Sequence, residues 1–528
     1  MHGESISSKP SSVACIPCRR RHLKCDAMMP VCTRCQTTST ECQYVRSRRG
    51  FKKSTKNTPS DPVDEVSAVH STEALPDWIQ AVLSSEDSID EIPNLDDNAI
   101  ISLSLELVTP DVAYDPMIQL YYQNFHPSHP IMIPRKALNT QICYLIPSHL
   151  IAIMRYIGAH YYPEPSLKDT FRQTAFSSLN DPTLQAGFRV QALLLLAIVT
   201  HSHCDDETSH RLLQLAIDLA LEIGMNTSNF ASEHSYSHIV LKESWRRTYW
   251  ELYVVDGLLS AFQEHSQFRL HRQQADVRLP CSEKMYTHDS VTLTEQTLND
   301  MQSKIALGQN VSTFAHRINA VKTLGAVLDL NHSLEEDTES PAEILEAQIT
   351  SSILALPHLH PDSHDTSSHD EMVFQAQMIL YLALIHLHHP HSDIRFATFT
   401  RTPIPNSDSP FRDISTNSLV QTTQHTQNLH THKLLHAANL LSALASLPSP
   451  IHRRTPFFTC ALGMCVIVHV AGMIGVGSGS TSTSGQQGAL KARITLSLGA
   501  LKVLGRVWPL AGVVRGRVLG AWRVLGDV

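Results

Sequence analysis

The chain has 528 residues, with 42 lysines and arginines against 50 aspartates and glutamates, for a formal net charge of −8. Its opening stretch, MHGESISSKPSS, lacks the apolar segment of a secretory leader, so the cysteines read as reduced thiols or metal ligands and not as a disulfide framework. The small net charge hides a strong asymmetry along the chain, with a basic head followed by an acidic neck.

Residues 1–12 read as a disordered tail, and residues 13–45 as a metal module. Cys15, Cys18, Cys25, Cys32, Cys35 and Cys42 form two successive C-x2-C-x6-C halves. A C-x2-C turn points two sulfurs at one centre and the third cysteine closes on it. Six thiolates cannot supply two separate four-sulfur sites, so two must bridge, and the pattern predicts a binuclear zinc cluster holding two Zn2+. Such a cluster carries net negative charge and would repel phosphate. Arg19, Arg20, Arg21, Lys24 and Arg34 overturn that sign locally, and Arg46, Arg48, Arg49, Lys52, Lys53 and Lys56 extend the basic surface in a form suited to a phosphate backbone. The run through Arg46, Arg48, Arg49, Lys52 and Lys53 also has the form of a nuclear localisation signal.

The stretch ACIPCRRRHLKCDAMMPVCTRCQTTSTECQY resembles the DNA-binding domain of the fungal binuclear zinc cluster transcription factors along its whole length. The resemblance implies that Cys15 and Cys32 bridge the two zincs, that Cys18 and Cys25 complete one tetrahedron, and that Cys35 and Cys42 complete the other. It places Pro30 at the turn between the halves. It also implies a short helix from Cys18 into the major groove, with Arg19, Arg20 and Arg34 on phosphates and Arg21 and His22 at the base-reading end, facing a CGG-like triplet. His22 stands where the family most often has lysine. An imidazole is mostly neutral near pH 7 and offers one donor per tautomer, whereas an ammonium is permanently charged, so this position bears on base preference. The family implies a nuclear regulator of RNA polymerase II genes, with double-stranded DNA and the transcription machinery as partners and a metabolic gene cluster as target. The alternative is a co-regulator acting through protein partners without strong DNA binding of its own.

Residues 46–106 read as a disordered linker, first basic and then acidic. No lysine or arginine occurs between Lys56 and Arg135, while twelve acids from Asp61 to Glu106 alternate with isolated apolar residues. An acidic spacer is favoured over an activation segment. No sustained apolar heptads follow the cysteines, and Pro59, Pro62, Pro76 and Pro93 would interrupt a coiled coil, which leaves binding as a monomer or as a homodimer through the body.

From 107 to 475 the chain turns to long apolar segments of helical period, and an all-α body is expected, loop-rich at about 331–372 and 400–430. DPMIQLYYQNF, GFRVQALLLLAIVTH, SHRLLQLAIDLALEIGM and KESWRRTYWELYVVDGLLSAF read as helices. In the last, Trp245, Tyr249, Leu252, Val255 and Leu259 form a stripe that leaves Arg246 and Arg247 off it. The words YYQNFHPSHPIMIP, LLQLAIDLALEIGMN, ESWRRTYWELYVVDGLLS and LIHLHHPHSDI resemble the family's regulatory body, the fungal-specific transcription factor or middle homology domain. Gly257 departs from that resemblance, standing where the family often has arginine.

The remaining motifs read as structure. His201-Ser-His203-Cys204-Asp205-Asp206 resembles a metallo-hydrolase word but ends on the wrong residue and suits a helix-terminal turn, and GSGSTSTSG lacks the lysine of a phosphate loop. Residues 476–488 are expected to be a Gly/Ser linker. The histidine tracts HLHPDSHDTSSHD and HTQNLHTHKLLH read as polar loops, and Cys143, Cys204, Cys281, Cys460 and Cys465 as reduced core thiols. Residues 457–477 are long and apolar enough to consider a membrane span, with a buried helix favoured. Residues 489–528 are basic, amphipathic helices divided at Pro509, packed on the body. No catalytic constellation emerges, and the expectation is a regulator and not an enzyme.

Overall fold

The computed structural model describes residue 18, residues 24–27 and 32–38, and residues 112–526 apart from 181–183, 264–266, 288–294, 307–310, 334–338, 358–369, 395–428 and 477–483. It divides into two units, Met1–Ala74 and Leu75–Val528. The linker expected over 46–106, with its prolines and acids, lies outside the described residues. In the first unit Cys18 is helical, and the short helix α1 (Thr33–Thr37) carries Cys35.

The second unit is helical, and no strand occurs among the described residues. Local signals start its helices. Asp115 accepts from the Met117 and Ile118 amides and Pro116 fills the first position of α2 (Pro116–Leu120), which runs on into a π-helical turn, Tyr121–Phe125. Asp205 caps α6 (Asp206–Glu222), which pairs with α5 (Ala186–Ser202). Before them come α3 (Ser148–Ala159) and α4 (Ser166–Ser177), packed together. After them come α7 (Phe230–Glu233), α8 (Ile239–Phe262), α9 (Glu283–Thr287) and α10 (Leu298–Ala306). Ser312 caps α11 (Thr313–His332) and Asp370 caps α13 (Glu371–His388), with α12 (Glu339–Leu354) between them in sequence. The four segments expected to be helical from their apolar period are helical.

Three expectations need correction. The stretch 331–372 contains α12, because Ala342, Leu345, Ile349 and Ile353 recur at three- and four-residue steps and turn one face to the core. The tract HTQNLHTHKLLH enters α14 (Leu429–Ala443), so His430, His432 and His436 are helical and not in a loop; most of 400–430 and the other histidine tract lie outside the described residues. The expected linker 476–488 ends early, since α16 (Ser484–Leu504) starts at Ser484.

The 457–477 segment is α15 (Phe457–Val476). It packs against α14, α16 and α17 (Pro509–Gly526), and Phe457, Phe458, Leu462, Val466 and His469 are fully buried. Among the described residues no helix is long and apolar enough to cross a membrane. Pro509 begins α17 as expected, and Trp508 before it is fully enclosed, so the C-terminal helices share the core of the body.

The centre of the body is an irregular segment. Residues 126–133, HPSHPIMI, are enclosed apart from Pro127, and the prolines at 127, 130 and 134 deny them a helical ladder. The His126 and His129 carbonyls take the His129 and Ile131 amides, and the other buried carbonyls need donors from elsewhere. Gln375 of α13 donates to the Ser128 carbonyl at 2.9 Å, Ser244 of α8 to Ile131 at 2.6 Å, Tyr286 of α9 to Met132 at 3.2 Å and Tyr122 to Ile133 at 2.8 Å. Arg247 reaches the Pro130 carbonyl at 3.4 Å.

Charged side chains complete the arrangement, and they explain why α8 is buried on all sides from Glu243 onward. Arg246 and Arg247, read as lying off the apolar stripe, are both enclosed. Arg247 donates to Glu243 at 3.0 Å, to Glu283 at 2.5 Å and to the Cys281 carbonyl at 3.1 Å, with its guanidinium 3.9 Å from the Tyr286 ring centroid. One turn further along α8, Glu251 accepts both prongs of Arg317 from α11, at 2.6 and 2.8 Å, and His129 Nδ1 at 2.8 Å. Burial alone would raise the Glu251 carboxyl, but Arg317 and His129 outweigh it and hold the group down to about 2.

Asp256 and Gly257 hold the next turn. Asp256 accepts from the Leu270 amide at 2.9 Å, and its other oxygen has no partner. A Cβ on Gly257 would lie 2.6 Å from Val321 Cγ1 and 2.9 Å from the Phe268 ring, so an arginine here would displace the 268–272 turn.

Glu251→Gln is expected to cost about 3–5 kcal/mol, because it strands a buried guanidinium, while the apolar pair Glu251→Leu with Arg317→Met recovers most of the loss; urea midpoints measure both. Burial raises Asp256 to about 7, with the Leu270 amide and Arg269 opposing it. A carboxyl raised on folding binds more protons in the native state than in the unfolded one, so its contribution to stability falls as pH rises from about 4 to 7. Asp256→Asn should therefore gain roughly 2 kcal/mol relative to the parent between pH 5 and pH 7.5, read from denaturation at the two pH values.

Candidate metal centre and nucleic-acid interface

The described part of the head brings four of the six predicted cysteines together. The Cys18, Cys32 and Cys35 sulfurs lie within 4.8 Å of one another, and Cys32 also lies within that distance of Cys25 and the Asp26 carboxylate. Cys32 thus belongs to both groups. Cys18, Cys32 and Cys35 are buried, which is unusual in so small a stretch with so little apolar material. Cys15 and Cys42 lie outside the described residues.

The spacing fits zinc. Two thiolates bound at about 2.3 Å in a tetrahedron stand about 3.8 Å apart, and Cys18 Sγ to Cys32 Sγ is 3.8 Å. A disulfide would need about 2.0 Å, and none of these four cysteines forms one.

Local structure aims the sulfurs. Cys32 is the N-cap of α1, and its sulfur accepts from the Cys35 amide at 3.4 Å, so one side chain ends the loop and turns its partner inward. Asp26, which the cysteine pattern does not include, accepts from the Thr33 amide at 3.1 Å and from the Thr33 hydroxyl. This clasps the chain after Cys25 to the start of α1. Ala27 follows in a left-handed conformation, φ 55°, which turns the chain away from Cys25. An acid directly after a ligand cysteine was the available signal, since acids favour helix N-termini.

Of the predicted DNA contacts, Lys24 and Arg34 are described, and both are exposed beside the buried sulfurs. Arg19, Arg20, Arg21, His22, Arg46, Arg48, Arg49, Lys52 and Lys53 lie outside the described residues, as does Pro30.

Residues 13–50 match the family described as Fungal Zn(2)-Cys(6) binuclear cluster domain, and residues 118–367 match Fungal specific transcription factor domain. The chain belongs to the fungal binuclear zinc cluster transcription factors. The domain of this family binds two zinc ions, and the thiolates described above fit them. The chain is similar to the C6 finger domain transcription factor iacK of Pestalotiopsis fici, 28% identical over 564 aligned positions that cover 98% of this chain and 81% of the relative. No solved structure matches it.

In this zinc cluster protein the motif His201-Ser-His203-Cys204-Asp205-Asp206 spans the end of α5, a turn at 203–205 and the start of α6, with Asp205 capping the latter. Cys143, Cys281, Cys460 and Cys465 are buried and Cys204 partly so, and none of them forms a disulfide. Among the described residues the groups of three or more converging ligands are the cysteine groups of the head.

Asp26→Ala should lower the zinc affinity of the head by roughly 10- to 100-fold, as the loss of a supporting hydrogen bond does at other metal sites. Competition against a chromophoric chelator measures it.

Proposed function

We propose that this protein is a nuclear, sequence-specific DNA-binding regulator of RNA polymerase II genes, whose head docks on duplex DNA and whose helical body governs activity. Buried thiolates spaced for zinc, with Lys24 and Arg34 exposed beside them, carry the reading. In this assignment Cys15 and Cys32 bridge the zincs, Cys18 and Cys25 complete one site, and Cys35 and Cys42 complete the other. Zinc supplies the cross-link that so small a chain segment needs to fold. Arg19, Arg20, Lys24 and Arg34 position the head on phosphates, and Arg46, Arg48 and Arg49 continue that track. Arg21 and His22 face the base edges of a CGG-like element. Arg46, Arg48, Arg49, Lys52 and Lys53 serve nuclear entry. Partner contacts with the transcription machinery, and pairing of two copies, fall to the body. No catalytic step is assigned. A metabolic gene cluster as target follows from the family alone.

Binding to the selected site should weaken linearly in log Kd against log salt, and Arg34→Ala should reduce the slope by roughly 0.9, one phosphate's worth. A slope near zero would favour the co-regulator that acts through protein partners. Binding-site selection on His22→Lys should shift the preferred triplet; an unchanged preference removes His22 from the base-reading set.

A further inference from the structure

Two histidines in the body meet at the ends of two helices. His160 is the C-cap of α3 and His203 the C-cap of α5. Their Nε2 atoms are 3.2 Å apart. His160 Nδ1 lies 2.9 Å from the Tyr156 carbonyl, and His203 Nδ1 lies 2.9 Å from the Val199 carbonyl. A carbonyl only accepts, so each Nδ1 must carry the proton and donate it. In the neutral rings both Nε2 atoms then hold lone pairs, and these lone pairs face each other. Such an arrangement is repulsive unless something positive lies between them.

Three observations point to what that is. Anchoring Nδ1–H on a backbone carbonyl is how metal-ligating histidines are usually oriented. Two imidazole nitrogens on a tetrahedral zinc ion, each at 2.0–2.1 Å, stand about 3.3 Å apart, close to the spacing seen. The helix C-termini that converge here each end in partial negative charge, which favours a cation. A proton is a poorer occupant: burial first, then the His203 ring, with Lys168 behind them, hold His160 down to about 3 against the Tyr156 and Ile157 carbonyls, and burial, Arg172 and Lys168 lower His203 against the Val199 carbonyl and Asp205. The two cations come from α4, where Arg172 is exposed and Lys168 half-exposed, so water screens them.

We infer that His160 and His203 form a binding site in the body for a divalent transition-metal ion of the zinc, nickel and copper class, separate from the cysteine cluster. Neutral imidazole is the ligand this class prefers. His160 is enclosed and His203 only half-buried, so water completes the coordination on the His203 side. The sequence motif at 201–206 thus contributes His203 alone, and its partner comes from α3, 43 residues earlier.

The test uses the full chain, dialysed against micromolar zinc and counted by elemental mass spectrometry. The parent should hold one ion per chain more than either His160→Gln or His203→Ala, whatever the loading of the head. Cobalt provides a second reading: it should quench Trp508, whose ring lies 5.3 Å from that of His160, in the parent and not in His203→Ala. Circular dichroism establishes that the variants are folded, and His203, at the surface side, is the safer of the two. Equal ion counts in the parent and a folded His203→Ala chain, or quenching that survives that change, would overturn the site and leave the pair as two histidines sharing a proton.

Discussion

The polar centre of the body is arranged around a buried stretch of backbone that satisfies only part of its own hydrogen bonding. Residues 126–133 contain two prolines and run through the interior without helix or sheet. Each carbonyl there would cost about 1–3 kcal/mol if left bare. The protein meets this by sending side chains inward from α8, α9 and α13. Those polar donors must themselves be held, and the buried pairs Arg247 with Glu243 and Arg317 with Glu251, together with Arg247 and Glu283, lock α8 to α9 and α11. Buried ion pairs of this kind add little net stability over apolar packing, but breaking one is costly. They act here to fix one geometry, since a shifted helix would strand a charge and a carbonyl together.

This explains which parts of the fold were legible in the sequence. The long helices were readable because their apolar period is a local property, and α5, α6 and α8 follow from spacing alone. The word HPSHP was visible as a resemblance, yet its meaning lay in residues more than a hundred positions away, such as Ser244 and Gln375. Arg247 lies off the apolar stripe and is buried all the same, because a stripe assumes one solvent face and α8 has none beyond its first turn. Within the stretch expected to be loop-rich, α12 is hard to see for the opposite reason: its buried residues are few and spaced among polar ones, so composition hides the period. The C-terminal helices were separable at Pro509, but nothing local showed that Trp508 plugs the same core.

The head behaves differently. Its described residues have almost no apolar core beyond the cysteines, whose sulfurs cluster together. Six cysteines at fixed spacing announce the chemistry by themselves, because a metal demands its ligands at distances that a short chain can meet in few ways. What spacing did not reveal was Asp26, whose hydrogen bonds to Thr33 tie the two halves together. A ligand pattern records who binds the ion and omits who holds the ligands still.

The stretch matched to the regulatory family ends at residue 367, but the polar centre does not. Ser128 donates to the Arg453 carbonyl at 2.8 Å, the Thr455 hydroxyl meets His129 Nε2 at 3.1 Å, and Arg454 pairs with Glu371 while stacking 3.7 Å from the Phe374 ring centroid. A segment near the start of the body is therefore completed by one near its end. At roughly 5–20 residues per second, the ribosome needs on the order of 15 to 65 seconds to deliver the second after the first. During that interval the HPSHP backbone has no finished interior to enter, and the nascent body must be shielded or stay open. The polar centre of the domain can close only after the chain through Thr455 has been made.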